Sequence, residues 1–157
     1  MTTKYRDEKQ QHFLKKLTDI ISDIPFNRIL GLRMDAVQKD HIALRFEMKD
    51  ELVGNFLQGI LHGGVISSVL DMAGGAAAMI AAADKYPEKN LEELAGVLGK
   101  SSTINLHIDY IRPGKGDHFI AKAWVTHSGN KITFARMELF NNENVLFATG
   151  TGTYLMG

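Results

Sequence analysis

The 157-residue sequence predicts an α+β fold: one long apolar helix packed on an antiparallel sheet, with an extra helix at the N-terminus. Three observations predict it. An amphipathic helical pattern opens the chain. A small-residue apolar run near the middle is long enough for about six helical turns. The second half alternates apolar and polar residues in strand-length runs separated by turn signals. The expected sheet has five or six strands.

From Arg6 to Ile24, apolar residues fall at Phe13, Leu14, Leu17, Ile20, Ile21 and Ile24, which is helical spacing. Pro25 ends that helix or begins the next turn. Asn27 to Val37 reads as a short apolar entry containing Gly31, and His41 to Met48 alternates as a half-buried strand does. Lys49 to Gly59 is an expected loop. The central helix follows from about His62 to Ala83 and is stopped by Tyr86-Pro87. Asn90 is a plausible cap for a short helix reaching Leu98. Thr103 to Ile111 alternates through Ile104, Leu106, Ile108 and Tyr110, which puts Thr103, Asn105, His107 and Asp109 together on a polar face. After a Pro113-Gly114 turn come strands Phe119 to His127, Ile132 to Phe140 and Val145 to Tyr154, joined by hairpin-like connections at 128–130 and 141–144. The helix is expected to lie on one face of this meander. No repeat or low-complexity segment divides the chain, so a single domain is expected over 1–157.

Composition removes several classes of function. Lys plus Arg number 18, as do Asp plus Glu, so nothing in the net charge favours nucleic acid or an anionic membrane. There is no cysteine, which excludes disulfides, thiolate nucleophiles and zinc–thiolate sites and permits a reducing compartment; a cytoplasmic location is expected. Residues 1–11 are polar and lack the apolar core of a signal peptide. Residues 63–83 approach the length of a membrane span, but they are rich in Gly, Ser and Ala and carry an aspartate near the middle, which suits a buried core helix. The histidines do not fall at metal-ligand spacings, so no metal is expected, and no phosphate-binding glycine loop is present. Ser67 and Ser68 sit inside the helical run and not on a nucleophile elbow.

The chemistry concentrates in His62-Gly63-Gly64 and Asp71. A helix start leaves backbone N–H groups unpaired and partially positive, and two glycines leave the way open for a carbonyl to approach them. Asp71 is a carboxylate in an apolar helix without a nearby opposite charge, and burial there would raise its pKa toward a range suited to base catalysis. Gly63 and Asp71 are eight residues apart, a rise of about 12 Å. One helix therefore cannot bring both groups to a single carbonyl, whereas two antiparallel copies about a two-fold axis can. If both are catalytic, the minimal active unit is a dimer. His62 could polarise, position or cap; Asn55 could position a carbonyl or water or stabilise a turn; the Thr103 hydroxyl could orient a water.

The motif resembles that of the hotdog-fold acyl-CoA thioesterases of the phenylacetate-pathway (PaaI-like) branch. His62-Gly63-Gly64 with Asp71 nine positions after the histidine fits that pattern, as do Thr103, Tyr110 and Arg112-Pro113, Gly129-Asn130-Lys131, and the closing Ala148 to Tyr154. Pro25-Phe26-Asn27-Arg28, Val53-Gly54-Asn55 and Ile60 to Ile66 are similar to its bacterial YigI-like subgroup, which acts on medium- and long-chain acyl-CoA. The resemblance implies a hotdog core over 25–157 after an N-terminal helix at 1–24. It implies Asp71 as base or nucleophile, the Gly63 amide polarising the thioester carbonyl, Gly64 supporting the turn and Thr103 placing the water. The upstream polar residue of the family stands six positions before the histidine. Here Phe56 occupies that place, so either the loop bulges and Asn55 serves, or Gln58 does. Gly64, Gln58, Ser67, Ser68, Arg112, Asn130 and Lys131 are the candidates for contacting the rest of the substrate. The resemblance implies no cofactor, CoA being part of the substrate, and a homodimer that pairs into a homotetramer. Two other activities suit the same elements: a hydroxyacyl-CoA dehydratase of this fold, and a non-catalytic acyl-CoA-binding module.

Overall fold

The computed structural model describes residues 8–157, so Arg6 and Asp7 of the expected first helix lie outside the described residues. Helix α1 runs Glu8–Asp23 and buries Leu17 and Ile21, with Phe13 and Leu14 partly covered; Ile20 is exposed. Pro25 begins a second helix, α2 (Pro25–Leu30), where a missing N–H costs nothing. The buried Asn27 donates from Nδ2 to the Ile21 carbonyl at 2.7 Å, fixing the α1–α2 corner. Gly31 ends α2 with φ 69°, a left-handed conformation that glycine adopts without steric cost. The expected apolar entry at 27–37 is therefore corrected to the end of α2 and a strand, β1 (Arg33–Val37). The five-residue run of β1 is too brief to mark a strand by alternation beside the helix.

Strand β2 (Ile42–Glu47) is followed by a 3-10 turn at Asp50–Leu52 and a two-stranded hairpin, β3 (Val53–Asn55) with β4 (Ile60–Leu61), where a plain loop was expected. Next come α3 (Gly63–Asp84), α4 (Leu91–Leu98) and strands β5 (Ser102–Tyr110), β6 (His118–Ser128), β7 (Ile132–Asn141) and β8 (Leu146–Leu155). At the start of α4 the Asn90 side chain accepts from the Glu93 N–H while Glu93 accepts from the Asn90 N–H, a reciprocal cap.

The main sheet has six antiparallel strands in the order β1-β2-β6-β7-β8-β5. The expected meander holds for β6-β7-β8, but β5 lies at the far edge beside β8. The link between β5 and β6 crosses the end of the sheet, where the Ile111 and Arg112 N–H groups donate to the Phe147 carbonyl and Asn141 Nδ2 donates to the Lys115 carbonyl. Helix α3 lies across the inner face, packed on β6, β7, β8, β5 and β2. It is long and apolar enough to cross a membrane, but most of it is buried as the core helix of this sheet.

A further correction concerns β5. Thr103 pairs with Tyr154 and Asn105 with Thr153, so Ile104 is an extra residue in the ladder. This β-bulge reverses the alternation. Thr103 faces α3, whereas Asn105, His107 and Asp109 pair with Thr153, Thr151 and Thr149 on the outer face, and Ile104 is 56 % exposed. A strict period of two could not separate Thr103 from the other three.

Away from the small-residue contact of α3, the core is closed by aromatic rings. Phe119 stacks on Phe46 with centroids 5.0 Å apart and meets Phe147 edge-on at 5.6 Å. Phe119→Ala is expected to cost about 3–5 kcal/mol through lost burial and a residual cavity. Urea unfolding checks it: a lower midpoint at unchanged m.

Candidate active site

His62 precedes α3 in an extended conformation (φ −65°, ψ 137°), and its Nδ1 accepts from the Gly64 N–H at 2.8 Å. Its carbonyl accepts from Val65 and Ile66. The imidazole is thus a helix cap that occupies the second glycine's donor. The Gly63 N–H is left with no partner among the described residues. Of the two glycines, only Gly63 presents a free amide at the positive end of the helix. Its carbonyl accepts from the Tyr110 hydroxyl at 3.1 Å, which fastens the helix start to the far end of β5.

Two turns further on, Asp71 is half-buried. Its Oδ1 accepts from the Thr103 hydroxyl at 2.9 Å, and among the described residues it has no ion-pair partner. Helix α3 therefore runs antiparallel to β5 and is pinned to it twice, by Tyr110 at Gly63 and by Thr103 at Asp71. The Thr103 hydroxyl donates to the carboxylate and keeps lone pairs that can receive a proton of a water.

Tyr154, in the closing strand β8, also reaches Asp71. Its hydroxyl donates to the Asp71 backbone carbonyl at 3.2 Å from inside the core. Burial, then the neighbouring Asp71 charge and a hydrogen bond to Asp71, push this phenol well above the ordinary tyrosine range. The only sequence signal is the run Gly150, Gly152, Tyr154 at strand spacing, two gaps followed by a large ring.

Asn55 is exposed at the tip of the β3–β4 hairpin, where its Oδ1 accepts from the Leu57 N–H at 3.1 Å and its carbonyl accepts from Gln58 and Gly59. The ladder shifts register between Val53 and Asn55, so the extra residue is absorbed at Gly54, where a Cβ would lie 2.5 Å from the His62 Cα. Within one chain neither Asn55 nor Gln58 hydrogen-bonds Asp71. Phe56 and Leu57 at this tip are 84 % and 83 % exposed. Ser67 and Ser68 donate to the Gly64 carbonyl at 3.1 and 2.7 Å, bonds within their own helix. Arg112 lies near the Gly63 end, two residues past Tyr110, and is anchored by a 2.7 Å bond to the Leu146 carbonyl. Asn130 and Lys131 sit in the β6–β7 hairpin, which Lys85 holds through the Ser128 and Gly129 carbonyls. Lys85 is fourteen residues past Asp71, an axial rise of about 21 Å, so one chain does not gather those two beside the carboxylate. Among the described residues no three His, Asp or Glu side chains cluster as metal ligands would.

A long helix wrapped by this six-stranded sheet is the hotdog fold, and the chain belongs to the thioesterase superfamily, whose family model matches residues 58–148. It is 40% identical over 134 residues to the medium/long-chain acyl-CoA thioesterase YigI of Escherichia coli, covering 85% of this chain and 86% of that protein. A crystal structure of a Shewanella oneidensis protein related to the thioesterase superfamily superposes with a TM-score of 0.90 at 37% identity, over 97% of this chain and 100% of that one. A thioesterase from Haemophilus influenzae shares the fold at a TM-score of 0.68 and 20% identity, covering 90% of this chain and 88% of its own.

His62→Ala is expected to lose about 0.5–2 kcal/mol, the usual cost of removing a side-chain cap. Thermal unfolding followed by circular dichroism checks it.

Proposed function

We propose that this protein is a cytoplasmic acyl-CoA thioesterase that hydrolyses medium- to long-chain acyl-CoA to a carboxylic acid and CoA. The observation that carries the reading is Asp71, a carboxylate with no cation partner among the described residues, on a mostly apolar helix, held by the Thr103 hydroxyl at 2.9 Å. A pocket that only binds acyl chains has little use for such a group. Asp71 takes the proton of a water that Thr103 also orients, or attacks the carbonyl itself; the Gly63 N–H receives the developing oxyanion. Water and the substrate's own CoA supply what hydrolysis needs, so no cofactor enters. The chain length rests on similarity to the Escherichia coli enzyme, which is named for medium and long chains.

The site reads as shared between two chains. Strand β5 is an edge, and Ile104 and Tyr110 on it are 56 % and 55 % exposed. Thr103 marks the Asp71 end of β5 and Tyr110 the Gly63 end. When two copies pair antiparallel through β5, the Gly63 end of one meets the Asp71 end of the other. That brings together the two groups that stand about 12 Å apart within one helix. The hairpin carrying Asn55 and Gln58 then serves the partner's site, Arg112, Asn130 and Lys131 are the groups for CoA at subunit edges, and two such dimers form the tetramer. Dehydration of a hydroxyacyl-CoA is less well served. The one neighbouring His–Asp pair on this part of the sheet, His107 with Asp109 at 3.3 Å, lies on the outer face and not beside Asp71.

Asp71→Asn is expected to cut kcat by at least about a hundredfold, the scale of losing a catalytic base. A hydrolysis panel over short, medium, long and aromatic acyl-CoAs, read by thiol release, checks this. Hydrolysis of none by the wild type rejects the thioesterase reading, and near-normal turnover by the variant rejects Asp71. Gly63→Pro removes the free amide at a helix position that tolerates proline, after a residue already extended at ψ 137°. It is expected to fold normally and lose about 10²–10³ in kcat. Mixing Asp71→Asn and Gly63→Pro subunits should then recover about a quarter of wild-type activity, because half the dimers are mixed and each holds one intact site. No recovery after verified subunit exchange places both groups in one chain's site.

A further inference from the structure

We propose that Tyr154 is a positioning residue for Asp71, forming with Thr103 a two-point clamp that fixes the carboxylate against the sheet; the proposal rests on the reading of Asp71 as the catalytic group. Tyr154 is 1 % exposed and lies between α3 and the sheet. The space for its hydroxyl exists only because two facing positions lack side chains. A Cβ on Gly74 would stand 2.1 Å from the Tyr154 Oη, and one on Gly152 would stand 2.5 Å from it. A core that needed only an apolar ring there would take phenylalanine and avoid the cost of burying a hydroxyl.

The hydroxyl spends its proton on one carbonyl of α3, that of Asp71, at 3.2 Å. In a continuous helix that carbonyl already accepts from the N–H four residues on, and its second lone pair is free. The phenol uses that spare position. The bond is therefore not needed to complete the helix; it ties the helix backbone at Asp71 to β8.

The second point of the clamp comes from the adjacent strand. Thr103 and Tyr154 are directly opposed in the β5–β8 ladder, and both face α3. One hydroxyl holds the carboxylate of Asp71 and the other its backbone. With the backbone carbonyl and Oδ1 both tethered, the direction of the Asp71 carboxylate is set. The bulge at Ile104 makes this possible, because it puts Thr103 and Tyr154 on one face at the edge of the sheet. Catalytic geometry is sensitive to displacements of about 1 Å, which can cost about a hundredfold in rate.

The test measures kcat, KM and thermal stability for full-length Tyr154→Phe and Gly74→Ala, with Asp71→Asn and Leu139→Ala beside them. Leu139 is fully buried and outside the site, so Leu139→Ala reports what loss of stability alone does to turnover. Tyr154→Phe is expected to lower kcat between about tenfold and a hundredfold with KM within about twofold of wild type. Gly74→Ala, which displaces the phenol without removing it and favours the helix, is expected to do the same. Leu139→Ala should lose more stability and keep its kcat per folded subunit. Wild-type kcat in Tyr154→Phe with an inactive Asp71→Asn overturns the clamp and leaves the assignment of Asp71 standing. An active Asp71→Asn overturns both. An equal fall of kcat in Leu139→Ala overturns the clamp, since the effect would be stability alone. Where Tyr154→Phe does not fold, Gly74→Ala decides, and normal kcat in it overturns the proposal.

Discussion

The close approach of α3 to the inner face of the sheet is the constraint on which the other features depend. Small residues meet on both sides: Ala73, Gly74, Gly75, Ala76 and Ala77 on the helix, and Ala148, Gly150 and Gly152 on β8 with Ala135, Ala121 and Ala123 on β7 and β6. Such surfaces bury little area per residue, but they let backbones come close enough for side chains at the margin to span the gap. At that margin, Thr103 reaches Asp71 and Tyr154 slides under the helix. Large side chains (Leu70, Leu44, Phe46, Phe119, Leu139) supply apolar burial around this contact, where the spacing can widen.

Close packing raises the stakes for every polar group in it. A buried donor or acceptor without a partner costs about 1–3 kcal/mol. Among the described residues, no buried side-chain nitrogen or oxygen lacks one. The helix start shows the same economy with one exception. His62 takes the Gly64 amide, Ser67 and Ser68 both turn back to the Gly64 carbonyl, and Tyr110 takes the Gly63 carbonyl. What remains is the Gly63 N–H, a donor left open among the described residues where the helix field is strongest.

Much of this could be read from the sequence, and the failures have identifiable causes. The central helix and its carboxylate were legible because an apolar run with a single charge admits few explanations. His62-Gly63-Gly64 marked the helix start for the same reason. Which glycine keeps its amide is not written in the sequence, because that depends on the direction of the His62 ring. The place of Thr103 was suggested by family resemblance, while periodicity set it on one face with Asn105, His107 and Asp109; the bulge at Ile104, which no residue type announces, separates it from them. Strand β1 and helix α2 were missed because each is short and their apolar residues run together. The edge position of β5 was hidden because a Pro-Gly turn serves a crossing connection as well as a hairpin. Tyr154 was invisible as a functional residue because its partner is a backbone carbonyl, which leaves no trace in side-chain chemistry.

The crossing of the β5–β6 link has a consequence beyond topology. By carrying β5 to the edge, it leaves one side of the strand that holds both ends of the site without a hydrogen-bonding neighbour among the described residues. An open edge with Ile104 and Tyr110 exposed is a liability unless something covers it. On the shared-site reading, a second copy covers it, and the same pairing satisfies the strand edge and completes the catalytic pair. Folding stability and catalysis then depend on a single surface. A substitution that weakens β5 pairing would lower activity through dissociation while leaving Asp71, Thr103 and Tyr154 in place in each chain, so its effect would fade as protein concentration rises. A substitution in the clamp acts within the chain and would not. Concentration dependence therefore separates the two ways in which this site can be damaged.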